Sequence, residues 1–326
     1  MQFHPVCSSI KEASQALGAL RHCVSTHAGN YGLAIIAAST HPFSKWEEQV
    51  TTHEERYEEL ARNMRGAVRR MLICGMHVHV AIEDEDLRID VMNQVSYFLP
   101  HLLALSTSSP FWHGQNMGLK SYRLSVFDGM PRTGLPDMFN SFGEYQRLVD
   151  QMAASEVIGD ATKLWWDVRP SAHFPTLEMR ITDVCTRLDD AITVAALYQC
   201  LVRMMVRLRR RNQRWRIYPR TLLRENRWLA QRYGAGGALI DLGRGGRRPM
   251  AELIDEILEL IAEDAEALDC VEEVARARDI TLGGTSADRQ LARFAAERAD
   301  GKSPEEAFIG VVDMLLEETL EGTEAS

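Results

Sequence analysis

Two histidines one residue apart, His77 and His79, stand in the run Cys74-Gly-Met-His-Val-His-Val-Ala-Ile82. Side chains alternate across a β-strand, so this run, read as a strand, turns both imidazoles to one face and Met76, Val78 and Val80 to the other. A second run, Thr176-Leu-Glu-Met-Arg-Ile-Thr-Asp183, gives Glu178, Arg180 and Thr182 one face and Leu177, Met179 and Ile181 the opposite one. A third, Trp166-Asp-Val-Arg169, places Asp167 and Arg169 together. Any one of these is the ordinary pattern of a half-buried antiparallel strand with a solvated face. Three of them carrying His, His, Glu, Arg, Asp and Arg go further, because surface strands favour Thr, Lys and Glu, and this set offers metal ligands beside donors for phosphate.

Two chemistries suit such a face. His77, His79 and Glu178 form a two-histidine, one-carboxylate set that can hold a hydrolytic zinc. Alternatively, phosphate sits between Arg169, Arg180 and a hard divalent ion. The arginines favour the second, since their positive charge competes with a metal unless an anion lies between them.

Elements must carry these residues into register. The apolar run 33–38, ended by Pro42, reads as a buried strand. Helical spacing predicts a long amphipathic helix from Trp46 to about Leu72, a strand over 73–82 and a helix over 85–107 that Pro100 kinks or splits. Residues 109–140 are loop around a short strand near 121–127. A helix over 142–155, strands over 165–169 and 176–183, and a buried helix over 187–210 follow. Helices at about 222–233, 250–267, 286–299 and 303–319 complete the chain, separated by Gly-rich turns.

Composition sets the outer bounds. The chain has 326 residues, 45% hydrophobic and 25% charged, as in ordinary globular proteins. No window reaches the roughly 18 apolar residues of a membrane span and no leader-like start is visible, so neither a membrane nor export is expected and the location is cytoplasmic. Six scattered cysteines without Cys-x-x-Cys pairs read as reduced thiols. A net charge of -9 argues against nucleic acid. The arginines between Arg203 and Arg220 read as the closing turns of a helix facing acidic surface, and Phe111, Trp112, Trp165 and Trp166 read as packing.

At this point the chain resembles a known family. The strand Gly75-Met-His-Val-His-Val80, followed by Leu177-Glu-Met-Arg-Ile-Thr-Asp183, is similar to the glutamine synthetase-like fold and, within it, to carboxylate-amine ligases related to type 2 glutamate-cysteine ligase. Further matches, in order, are Thr40-His-Pro-Phe43, Glu55-Arg-Tyr57, Ser109-Pro-Phe-Trp112, Ser121-Tyr-Arg123, Trp165-Trp-Asp-Val-Arg-Pro170, Glu225-Asn-Arg-Trp228, Arg232-Tyr-Gly234 and Gly284-Thr-Ser-Ala-Asp-Arg-Gln290.

The resemblance implies an α+β fold, a curved antiparallel sheet with flanking helices. It implies one catalytic domain, with sheet and helices over 1–220 and a helical region over 221–326 packed on it. ATP and Mg2+ or Mn2+ are the implied cofactors, with an amino-acid carboxylate such as glutamate and an amine such as cysteine as substrates. His77 and Glu178 would ligate metal, and His79, Asp167 and Arg169 would meet the nucleotide. Arg180 would steady the transferring phosphoryl group, and Arg123 would lie near a substrate carboxylate. The family's upstream Gly-x-Glu-x-Glu strand has no counterpart, so weak glutamate-cysteine ligase activity, a homodimer covering the bared edge, or an inactive nucleotide-binding homologue are further expectations, beside the zinc-hydrolase alternative.

Overall fold

Short strands alternate with helices through residues 6–48 and 70–323, the residues that the computed structural model describes. The first part runs through α1 (Ile10–Gly29), β1 (Val78–Ala81), α2 (Glu85–Val95), α3 (Leu99–Ser106), β2 (Phe111–Trp112), β3 (Gln115–Asn116), α4 (Tyr122–Phe127), β4 (Thr133–Gly134) and α5 (Phe142–Ala154). Next come β5 (Trp165–Trp166), β6 (Val168–Pro170), β7 (Thr176–Met179) and the 23-residue α6 (Leu188–Arg210). The chain continues through α7 (Arg220–Tyr233), β8 (Ala238–Ile240), β9 (Arg247–Pro249), α8 (Met250–Leu260), α9 (Ala262–Ala267), α10 (Val271–Ala275), α11 (Ala277–Gly283), α12 (Ser286–Ala299) and α13 (Pro304–Leu320).

The sheet that carries the site is antiparallel, with strand order β1-β7-β6. Its register sets His79 opposite Glu178 and Glu178 opposite Arg169, one polar row across three strands. Alternation sends the neighbours the other way: Leu177, Met179 and Val168 are fully buried, and Val78 and Val80 pack on the same core. Beneath them lies α6, whose Tyr198 hydroxyl donates to the Leu177 carbonyl at 3.3 Å.

Local chemistry explains the helix ends. The Asp84 carboxylate accepts the Leu87 N–H and starts α2, and Pro100 falls in the first turn of α3, where its missing N–H costs nothing. Residues 96–98 divide these two helices, the break expected at the proline. At α13, Ser303 and Glu306 form a capping box with Pro304 at the first helical position. One hydrophobic cluster takes residues from Ile10 to Ile280, so α7 to α11 share the core of the sheet rather than forming one of their own. A smaller cluster joins Ala38 and Phe111 to Phe308, Val311 and Leu315 of α13. Phe111, Trp112 and Trp166 are buried, as the packing reading requires, while Trp165 is half-buried.

Several elements differ from the sequence expectation. Residues 33–38 form no strand: Leu33 is exposed, and ladder-like bonds begin only where Cys74 N–H meets Ser39 O and Thr40 bridges Ile73. The stretch near 121–127 is the helix α4, not a strand, closed by the Asp128 N–H on the carbonyls of Leu124 and Val126. The 165–169 strand is divided into β5 and β6, and the 250–267 helix into α8 and α9. The helix expected from Trp46 to Leu72 falls mostly outside the described residues, apart from a 3-10 turn at Trp46–Glu48. By length and mean hydropathy α6 does match a membrane span, against the sequence reading, yet 67% of that stretch is buried inside the protein, as in a core helix.

At the end of α6, Arg203 and Arg207 converge on the fully buried Asp264 carboxylate at 2.6 and 2.7 Å, while Arg211 pairs with Glu263 and Arg214 with Asp90. These arginines therefore face acids of the protein itself. Replacing Asp264 with Ala strands two guanidinium groups that solvent can partly reclaim, and should lower the unfolding free energy by about 1–3 kcal/mol in urea titrations.

Candidate active site

Glu178, only 4% exposed, stands at the middle of the polar row. Its Oε2 accepts from Arg169 Nε at 2.9 Å, and its Oε1 accepts from Arg180 Nη1. His77 Nδ1 lies 3.3 Å from Oε1 and His79 Nε2 3.7 Å from it. His79 is held from behind, with Nδ1 2.9 Å from the Thr176 hydroxyl and the Phe174 ring edge-on to its imidazole. The structure thus brings together five of the seven expected site residues: His77, His79, Arg169, Glu178 and Arg180.

The charges in this cluster tune one another. Burial alone would raise the Glu178 carboxyl, but the His77 hydrogen bond and the guanidinium groups of Arg180 and Arg169 outweigh it and keep it far below the usual carboxylate range. Burial depresses His77 to about 4; the Glu178 hydrogen bond opposes this and Arg180 reinforces it. His77 is therefore neutral near pH 7. Its Nδ1 lies 3.3 Å from both Glu178 Oε1, which can only accept, and Arg180 Nη1, which can only donate, so the choice between these two partners sets the tautomer. Burial, and then the charge of Arg169, bring Arg180 down to about 10, so it stays cationic.

Arg169 is largely committed to the protein, since its Nη1 also donates to the carbonyls of Thr162 at 2.9 Å and Leu164 at 2.5 Å. Asp167 lies apart from the row. Its carboxylate is 1% exposed and meets Arg227 Nε at 2.8 Å, and Arg227 in turn grips Asp128 at 2.7 and 2.8 Å. Burial works against the Arg227 charge, but these two carboxylates outweigh it and raise its pKa. Arg123 is 3% exposed, and its Nη1 and Nη2 donate to the carbonyls of Ile181 and Arg180, each at 3.1 Å. Thr182 leaves the polar face altogether, donating its hydroxyl to Met76 O from a fully buried position.

Sequence reasoning passed over the residues that hold this arrangement. Asp183 is fully buried and accepts from the Ser108 N–H and from the hydroxyls of Ser109 and Ser121. Asp183, Thr176 and Arg227 stand within quoted runs but are given no role there, and Asp128 is unmarked, because each acts through contacts distant in sequence. A cleft of about 570 Å³ opens at the β6–β7 turn, between Phe174 and the α5 residues Phe142 and Tyr145. Its rim is acidic, with Glu83, Glu85, Asp150 and Asp160, while Arg88 turns its guanidinium onto the carbonyls of Ile82 and Glu83.

A divalent ion at His77 and Glu178 does not fit the donors as they stand. A magnesium or manganese site wants carboxylate oxygens, and both oxygens of Glu178 are engaged by guanidinium groups. Among the described residues, no group of three or more His, Cys, Asp or Glu donors is disposed to hold a metal ion. Zinc on His77, His79 and Glu178 meets the same obstacle.

Residues 3–308 match the family model of glutamate-cysteine ligase family 2. A Rhodospirillum rubrum protein named "Putative glutamate--cysteine ligase 2" is 60% identical over 315 residues, 97% of this chain and 81% of its own. A Jannaschia protein of the same name is 56% identical over 313 residues, 96% of this chain and 82% of its own. Among solved structures, a Francisella tularensis glutamate-cysteine ligase in complex with AMP superposes with TM-score 0.63 at 13% identity, covering 99% of this chain and 80% of that one. A bifunctional glutathione synthetase from Pasteurella multocida gives TM-score 0.65 at 13% identity, over 98% of this chain and 46% of that one. At such identity the likeness is one of fold, and it bears out the α+β architecture.

The depressed His77 pKa makes stability pH-dependent. Between its ordinary value of 6.5 and its folded value of about 4, the unfolded chain binds a proton that the folded chain refuses. Stability should therefore fall as pH drops through that window, by about 2–3 kcal/mol from this group. Glu178, also depressed, adds to the loss below pH 4.5. Urea midpoints at pH 7.5 and 4.5 should show the decline, and His77→Gln should flatten it.

Proposed function

This chain belongs to glutamate-cysteine ligase family 2, and we propose that it is an ATP-dependent carboxylate-amine ligase that works through an acyl phosphate. The observation that carries the reading is the row His79, Glu178 and Arg169 with Arg180 at its end, buried on a fold shared with a ligase solved in complex with AMP. The zinc-hydrolase reading lacks a free carboxylate, and the relatives lend no support to an inactive homologue.

A carboxylate is a poor acceptor for an amine, so activation comes first. The acid attacks the terminal phosphorus of ATP, the bond to the bridging oxygen breaks, and ADP leaves. The amine then attacks the acyl carbon, phosphate departs, and the amine gives up a proton as the amide forms. Arg180, cationic and fixed by Glu178, neutralises charge on the phosphoryl oxygens during transfer, a mainly electrostatic and positional effect. His77, neutral, stands beside it with Nδ1 3.3 Å from Arg180 Nη1. The nucleoside belongs in the cleft by Phe174, which falls within the size range of small-molecule sites. Its acidic rim offers acceptors to the amino group of the base and repels phosphate, which leaves the triphosphate on the side of His79 and Arg180. Magnesium is absent from these steps, because the described donors do not fit it. The relatives' name makes glutamate and cysteine the first pair to test, with gamma-glutamylcysteine as product.

ADP release that requires ATP, an acid and an amine together is the expected signature. Arg180→Gln should lower kcat by roughly 10²- to 10³-fold and leave the amine KM near its original value. ADP release by the unaltered protein that ignores the amine would overturn the ligase reading.

A further inference from the structure

The strand that carries Glu178 keeps its register through Met179 and then breaks it. The N–H groups of Arg180 and Ile181, at 2.8 and 3.1 Å, both donate to the one carbonyl of Asp167, the pattern of a β-bulge. The shift is visible across the sheet as well: His79 faces Glu178, yet Gly75 bridges Asp183, where an unbroken strand would offer Thr182. The two carbonyls of the bulge, those of Arg180 and Ile181, both accept from the Arg123 guanidinium at 3.1 Å. Every hydrogen-bonding group of these two residues' backbone is thus tied to Asp167 or Arg123, and each of those is itself anchored by an opposite charge, Arg227 at 2.8 Å and Asp183 at 3.7 Å.

We infer that Arg123 is a positioning residue for Arg180, not a contact for the substrate carboxylate, and that Gly75 is what lets it act. This deepens the ligase reading and rests on it for the role of Arg180. Gly75 is exposed, but a methyl group added there would overlap the Nη2, Cζ and Nε atoms of Arg123, so the glycine backbone lies against the guanidinium and covers it. Little surface is left through which a substrate could reach that group. A bulge re-aims the side chain it carries, and here it directs Arg180 onto Glu178. Holding the bulge holds the angle at which the Arg180 guanidinium meets a phosphoryl group.

Gly75→Ala is the incisive variant, because its methyl group points at Arg123 from the surface. Misplacement of a transferring group by about 1 Å can cost on the order of 100-fold, so Gly75→Ala should lower kcat roughly 10- to 100-fold while the acid KM stays within about twofold. Hydrogen exchange of the Arg180 and Ile181 amides should quicken in the same variant. In an Arg123→Lys background the methyl no longer meets a guanidinium, so its additional effect should shrink. A rise in acid KM with kcat unchanged, in either single variant, would overturn the proposal in favour of substrate binding by Arg123. Wild-type kcat and wild-type exchange in Gly75→Ala would overturn it as well. Should the unaltered protein release no ADP with any acid and amine, the ligase reading falls, and the exchange of these two amides still decides whether Arg123 fixes the bulge.

Discussion

A carboxylate taken out of water in the middle strand of a sheet has to be neutralised where it stands, and Glu178 meets that demand with one cation from a neighbouring strand and one from its own segment. Arg169 reaches it from β6, Arg180 from just past the end of β7, and two imidazoles flank it, His79 on β1 and His77 immediately before that strand. Three short strands are bound side by side through one side chain, in addition to their backbone ladder. The apolar side of the same strands rests on α6, so the charge cluster and the hydrophobic core are the two faces of a single thin layer. Moving one displaces the other.

Around that cluster, acids and arginines alternate in contact with one another. Asp167 lies between the bulge and Arg227, Asp128 pairs with Arg227 on α7, and Asp183 stands between Arg123 and three donors from the 108–121 segment. Each of these groups is engaged with another group of the protein. Together they connect the loop after β7, the helices α4 and α7, and the turn before β6. The backbone that aims Arg180 is consequently held by elements that lie about 50 residues before and after it in the chain.

Much of this could be read before any coordinates, and the rest could not, for definite reasons. Strand alternation correctly paired His77 with His79 and Glu178 with Arg180, because a period of two survives wherever one face is buried. The same rule failed at Thr182, since a bulge is created by a partner strand and leaves no mark in the local pattern. Tyr122 to Phe127 alternates apolar and polar residues like a strand and forms a helix, because its place in the fold is set by what Arg123 and Leu124 bury. The helix α1 went unnoticed although Ser9, three residues before Glu12, is an N-terminal signal; its helical periodicity is weak and most of its surface faces solvent. Arg123 was assigned by resemblance to a substrate, and only the backbone around Gly75 reveals how little of it is open.

The helix α6 has a bearing on how the chain is made. It is as long and apolar as a membrane span, and part of its surface is covered by α9, α10 and α11, which lie more than 50 residues later in the sequence. A ribosome delivers α6 well before those covers exist. During that interval the part of α6 that they cover is bare, the condition under which nascent chains aggregate or recruit chaperones. Synthesis that pauses between Arg210 and Ala262 prolongs the exposure of that face.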